Sequence, residues 1–141
     1  MKNENCAYCM HGELLDQFGI YICDLEGSSV YLFKEQSKKG RVIVASKDHV
    51  SEIVDLSPEQ RTVFMADLAH VASVIHELFK PDKLNYGAYG DKGGHCHMHV
   101  VPKYIDGDEW GGTFQMNPYK TYLTKEEYEK IVKDIKEHLL K

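Results

Sequence analysis

Gly94-His95-Cys96-His97-Met98-His99-Val100-Val101-Pro102 decides how this chain is read. Side chains of an extended strand alternate between faces, which puts His95, His97 and His99 on one side and Cys96, Met98 and Val100 on the other. Same-face neighbours stand roughly 6.5–7 Å apart, so three imidazoles form a row while the apolar set packs down onto a core. A single histidine in a strand is an ordinary hydrogen-bonded residue; three in strict alternation point to chemistry. A metal triad is one reading, because imidazole binds zinc, copper or nickel, but with all three rings ligating no base is left.

Outward from that strand, residues 18–23, 30–33 and 41–45 are rich in β-branched and aromatic residues and predict three earlier strands. Polar, glycine-containing breaks at 26–28 and 37–40 predict hairpin turns between them. The period then changes. Ser57-Pro58-Glu59-Gln60 combines an N-cap, a proline at the first helical position and a capping-box glutamine, and Phe64, Leu68, Val71, Ile75 and Leu78 recur at helical spacing. A helix is expected near 58–79, followed by strands at 84–89 and 96–101 around the loop 90–94, and by a second amphipathic helix after Thr124. The expected class is α+β, an antiparallel sheet of about five strands carrying one long helix and a C-terminal helix, in a single domain spanning 1–141.

The chain has 141 residues, of which 43% are hydrophobic and 28% charged, which excludes a disordered polymer. Its formal charge of −5 supplies no positive field for condensed phosphates, so no polymeric nucleic-acid partner is expected. Residues 1–10 lack the cationic and apolar regions of a leader and no stretch is expected to span a bilayer, so a cytoplasmic protein without a membrane partner is expected. Four cysteines in a reducing compartment do not suggest a disulfide framework, and Cys6-Ala7-Tyr8-Cys9 reads as a metal or redox pair.

The run His95-Cys96-His97-Met98-His99-Val100-Val101 resembles the motif of the histidine triad (HIT) family, His-φ-His-φ-His-φ-φ with φ hydrophobic. Asn85-Tyr86-Gly87 and Lys47-Asp48-His49 resemble that family's Asn-x-Gly and Lys-x-His segments, and the similarity covers about residues 6–103. It implies a nucleotide-binding α+β fold, usually a homodimer, that hydrolyses or transfers nucleotidyl groups by attack on an α-phosphate. Carried onto this chain, His97 is the expected nucleophile, and His99 is expected to hydrogen-bond the phosphate oxygens. A neutral imidazole is a competent nucleophile, and a covalent intermediate splits one displacement into two easier ones. Asn85, Lys92 and the backbone N–H groups of Gly93 and Gly94 are expected on the substrate, a small-molecule nucleotide. An N-terminal Cys-x-x-Cys in several bacterial relatives of this kind holds zinc together with the equivalents of His49 and His95. The resemblance therefore implies a structural zinc on Cys6, Cys9, His49 and His95, a set suited to tetrahedral coordination.

Two departures from the family pattern stand out. Arg41 replaces a usual histidine, and Asp91-Lys92-Gly93-Gly94 replaces a loop with a usual serine. Both Arg41 and Lys92 are candidates for the phosphate side of the pocket or for surface charge. The family's ribose-binding acid falls near Glu35. Trp110, Phe114 and Met116 lie in a long loop, expected at a nucleoside wall, a dimer contact or in plain packing, and His11 is a substitute ligand beside the cysteines. Non-catalytic nucleotide binding and a redox or metal carrier built on Cys6 and Cys9 are the competing functions.

Overall fold

The β-branched and aromatic runs form strands β1 (Gly19–Asp24), β2 (Ser28–Phe33) and β3 (Val42–Ser46), and the second half of the chain adds β4 (Lys83–Gly87) and β5 (His97–Lys103). Their spatial order is β1-β2-β3-β5-β4 and every pairing is antiparallel, so the connection after β3 skips one strand position to the edge strand β4, and β5 turns back to fill the place between β3 and β4. This arrangement comes from a computed structural model that describes residues 4–141. Residues 1–3, the start of the stretch read for a leader, lie outside the described residues.

Helices α3 (Pro58–Phe79) and α4 (Lys125–Leu139) cover one face of the sheet. Phe64, Leu68, Val71 and Ile75 from α3 and Ile131, Ile135 and Leu139 from α4 meet Ile22, Val30, Leu32, Val42, Val44 and Val100. At α3 the Ser57 hydroxyl accepts from the Gln60 backbone N–H at 3.1 Å, and the Gln60 side-chain oxygen accepts from the Ser57 N–H at 2.7 Å. Such caps stabilise a helix by about 1 kcal/mol. By length and composition α3 could cross a membrane, contrary to the expectation that no stretch would. It carries Glu59, Arg61, Asp67 and Glu77, and its apolar stripe lies in the core.

Both β2 and β3 are buried on both faces, because a second cluster of Leu15, Tyr31, Phe33, Ile43 and Ala45 fills the triad side, with Ala7, Tyr8 and Phe18 packed on it. Two one-turn helices, α1 (Ala7–Met10) and α2 (Glu13–Asp16), carry that layer. They were not expected: four residues make one turn, too short for a period to show. The last strand also starts later than expected. Its ladder begins at His97, and Cys96 leaves the regular strand to donate its N–H to the Val50 carbonyl at 2.7 Å and accept from the Ser46 N–H at 3.0 Å.

Candidate functional site

The β3–β5 register sets Ala45 opposite His97 and Ile43 opposite His99, so the two imidazoles stand over small or aliphatic residues on the face away from α3. Their ring centroids are 5.4 Å apart. His95 lies just before the strand yet keeps to the same side, since the Tyr8 ring packs on both His95, at 5.4 Å, and His97, at 4.9 Å.

Each ring has one nitrogen committed by a partner of fixed polarity. His97 Nδ1 lies 2.7 Å from the His95 carbonyl oxygen, which only accepts, so Nδ1 bears the proton and Nε2 keeps its lone pair. His95 Nε2 lies 2.7 Å from the Ser46 carbonyl and donates to it, leaving Nδ1 as the lone-pair nitrogen. At His99 the order reverses, because Arg41 Nη2 donates to Nδ1 at 3.1 Å. Neutral His99 therefore carries its proton on Nε2. Among the described residues Arg41 Nε is the buried side-chain polar atom without a partner, so the unpaired Nε2 atoms of His97 and His99 are not sealed in. Burial pushes the pKa values of His95 and His97 below the ordinary histidine range. His99 is driven down to about 3, first by burial and then by the Arg41 and His97 charges. Three neutral rings thus present a ligand nitrogen, a nucleophilic lone pair and an N–H donor side by side.

Cys6, Cys9, His49 and His95 converge, with their ligand atoms all within 4.8 Å of one another. His95 Nδ1 is 3.3 Å from Cys6 Sγ, 3.6 Å from Cys9 Sγ and 3.1 Å from His49 Nδ1, and Cys9 Sγ is 3.3 Å from His49 Nδ1. A tetrahedral zinc with ordinary bond lengths requires S–N edges of about 3.5 Å and an N–N edge of about 3.3 Å, which these spacings fit. The His95–Ser46 bond supplies the outer partner that metal-bound histidines usually have. His11 is not in the cluster; its Nε2 bonds the Tyr31 hydroxyl at 3.1 Å.

Of the expected substrate contacts, Asn85 is half-buried on β4 opposite Val101, two positions from the Gly87–His99 pair and on the triad face. A Cβ on Gly87 would fall 2.4 Å from the Tyr89 ring, so glycine here makes room for Tyr89 to pack 6.3 Å from His99. Lys92 and Gly93 are exposed in the turn before the triad. Contrary to the expectation of a free amide, the Gly94 N–H donates to the Gly90 carbonyl at 3.1 Å.

The Glu35 carboxylate accepts from the Ser37 N–H and hydroxyl at 2.8 and 2.5 Å and from the Lys120 and Thr121 N–H groups at 2.9 Å each. It clamps the end of the long loop. That loop in turn brings Phe114 to 6.3 Å from His99, and Met116 Sδ and the Gln115 carbonyl to 3.3 Å from Arg41, while Trp110 stays largely exposed. Sequence reasoning missed Tyr8 and Tyr89 as neighbours of the triad. The signal for Tyr8 was present: a ring between two clustered cysteines is carried wherever they converge.

Three alternating imidazoles, His95 just ahead of an interior strand and His97 and His99 on it, along one face of a five-strand antiparallel sheet define a histidine triad protein. The sequence profile of the HIT domain matches residues 20–106, and the chain belongs to the HIT family. Among curated proteins it is similar to Protein hit of Bacillus subtilis (strain 168), 27% identical over 125 residues that cover 79% of this chain and 80% of that one. Among solved structures it is similar to a histidine triad protein from Marinobacter aquaeolei VT8, with 21% identity, 92% and 94% of the two chains covered and a TM-score of 0.83. A zinc-bound histidine triad family protein from Mycobacterium smegmatis matches at 22% identity over 96% and 94%, with a TM-score of 0.66.

Proposed function

We propose that this protein hydrolyses or transfers nucleotidyl groups, with His97 Nε2 attacking the α-phosphorus of a mononucleotide derivative or dinucleoside polyphosphate. The carrying observation is the His97 Nδ1–His95 carbonyl bond, which leaves an unpaired Nε2 lone pair next to the His99 Nε2–H donor. As the Nε2–P bond forms, the bond from phosphorus to the leaving group breaks, and water then attacks the nucleotidyl-histidine. His99 donates to a non-bridging oxygen as charge redistributes, and Asn85 is a neutral donor on the same face.

Zinc is the metal proposed for Cys6, Cys9, His49 and His95, supported by the donor chemistry and by the zinc-bound relative. Bound there it would act as a structural ion, anchoring α1 to the sheet and holding His95, whose carbonyl orients His97. All four cysteines are free, which fits a reducing, cytoplasmic setting. A homodimer is proposed through the exposed edge strand β4, where Tyr86 stands half exposed.

The test is turnover of adenosine phosphoramidate and of diadenosine polyphosphates by wild type, His97→Ala and His97→Asn. Removing the attacking group should lower kcat by at least about a thousandfold with the fold unchanged. Unaltered turnover in either variant overturns the assignment. AMP binding by a wild type that turns over no phosphoester or phosphoramidate would instead make the protein a non-catalytic nucleotide binder.

A further inference from the structure

Arg41, where the family pattern has a histidine, is 1% exposed and enters no ion pair with the described residues. A buried charge without a close counter-ion is among the more costly features a fold can carry. Its guanidinium lies 3.9 Å from the Phe33 ring centroid and 5.0 Å from that of Phe114. Nη1 donates to the Gln115 carbonyl and Nη2 to Met116 Sδ, each at 3.3 Å, and Nε has no partner. Those contacts would serve packing as well from an apolar side chain. What only a permanent donor achieves is the 3.1 Å bond from Nη2 to His99 Nδ1. Arginine has no acceptor and stays protonated at neutral pH, so the proton in that bond belongs to Arg41 under all working conditions.

We infer that Arg41 is a positioning residue that locks His99 as the neutral Nε2–H tautomer, presenting one fixed donor beside the His97 lone pair. The oxygen that receives this donor is a phosphoryl oxygen only if the proposed function holds; the lock itself stands on the geometry alone. A histidine in place of Arg41 could donate or accept, and the tautomer of its partner would follow its own. With arginine the alternative is closed, because an Nδ1–H of His99 would point a proton at a guanidinium N–H. The third imidazole is thereby reduced from an acid–base group to a donor.

The experiment is a long-range proton–nitrogen NMR spectrum of uniformly labelled protein, purified without chelator, with the His99 signals identified by their loss in His99→Gln. In wild type, His99 Nε2 should show the shift of a protonated ring nitrogen and Nδ1 that of a bare one. Arg41→Lys keeps a donor that cannot accept and should retain this pattern. Arg41→Met removes the donor and should move His99 toward a mixture of tautomers, with kcat falling about a hundredfold and KM changing much less. Partial recovery of kcat in Arg41→Lys would tie the effect to donation, and a merely structural strut would move none of the nitrogen shifts. An Nδ1–H ring in wild type, or an unchanged pattern in a folded Arg41→Met, overturns the inference; should Arg41→Met fail to fold, the wild-type spectrum and Arg41→Lys still decide it. A locked tautomer in a protein that turns over no nucleotide would sink the proposed function and leave the lock standing.

Discussion

The two ends of the triad face are built from opposite materials. At one end Cys6, Cys9, His49 and His95 gather two thiols and two imidazoles within 4.8 Å of one another, a donor set that could hold a cation. At the other, Arg41 is a cation already installed, set against Phe33 and Phe114 and bonded to His99. Between them His97 takes its orientation from the His95 carbonyl. Three identical side chains on one face thus acquire three chemistries, and the choice is made in each case by what holds the other ring nitrogen.

The sharpest way to break this contrast is to empty one end and neutralise the other. A ligand present at a thousandfold its Kd stabilises the native state by about 4 kcal/mol, and about 2–4 °C of Tm accompanies each kcal/mol in a domain of this size. Chelation, or Cys6→Ser, should therefore lower Tm by roughly 10 °C relative to zinc-loaded protein. Arg41→Met should leave Tm within a few degrees, since replacing a buried charge by an apolar group of similar volume is often neutral or stabilising. Thermal melts with elemental analysis check both. Equal Tm values for zinc-loaded and stripped protein would remove the structural role of the metal; a large drop in Arg41→Met would make the arginine a strut.

Acid sharpens the arginine end alone. Unfolded His99 takes up a proton near pH 6.5, whereas the folded ring stays bare until about pH 3. Between these values the unfolded chain binds more protons, so the contribution is fully present above pH 6.5 and is lost as pH falls toward 3. The slope approaches about 1.4 kcal/mol per pH unit, which integrates to about 2 kcal/mol between pH 6.5 and 4.5. Urea midpoints of wild type and His99→Asn should converge as pH falls, and the comparison cancels titration at the metal end, which both proteins share. Parallel curves would mean that His99 titrates normally in the folded protein.

How far these ends could be read in the sequence follows from the range of the contacts that make them. Ser57, Pro58 and Gln60 announce the start of α3 within four residues, and Lys80 closes it in the left-handed region just before Pro81. The alternation of His95, His97 and His99 is equally local, although the lateness of β5 shows that a shared side does not require a regular ladder. The metal set is not local: Cys9 and His49 are 40 residues apart and His49 and His95 a further 46. It was reached through family resemblance, and the β3–β5 pairing is what makes it physical. Nothing near Arg41 in sequence announces Gln115 or Met116, 74 and 75 residues away. No pattern of period or capping could place Phe114 against His99 or the Lys120 and Thr121 amides on the Glu35 carboxylate.

That clamp gives the smallest and most discriminating test of the arginine end. Burial alone would raise the Glu35 pKa, but the donors from Ser37, Thr121 and Lys120 outweigh it and hold the carboxyl below its usual range. Oε2 accepts from the Ser37 hydroxyl and from both loop amides, so Glu35→Gln, with one acceptor oxygen in place of two, must leave part of this set unpaired. A loss of about 1–2 kcal/mol is expected, with faster amide exchange at Lys120 and Thr121 and only a small change in kcat. The effect on the triad is indirect, because the same loop carries Gln115 and Met116 to Arg41. A large rise in KM for nucleotide at unchanged stability and unchanged exchange would show the carboxylate leaving its amides to meet a ribose, and the loop would then be a displaceable cover over that end of the face.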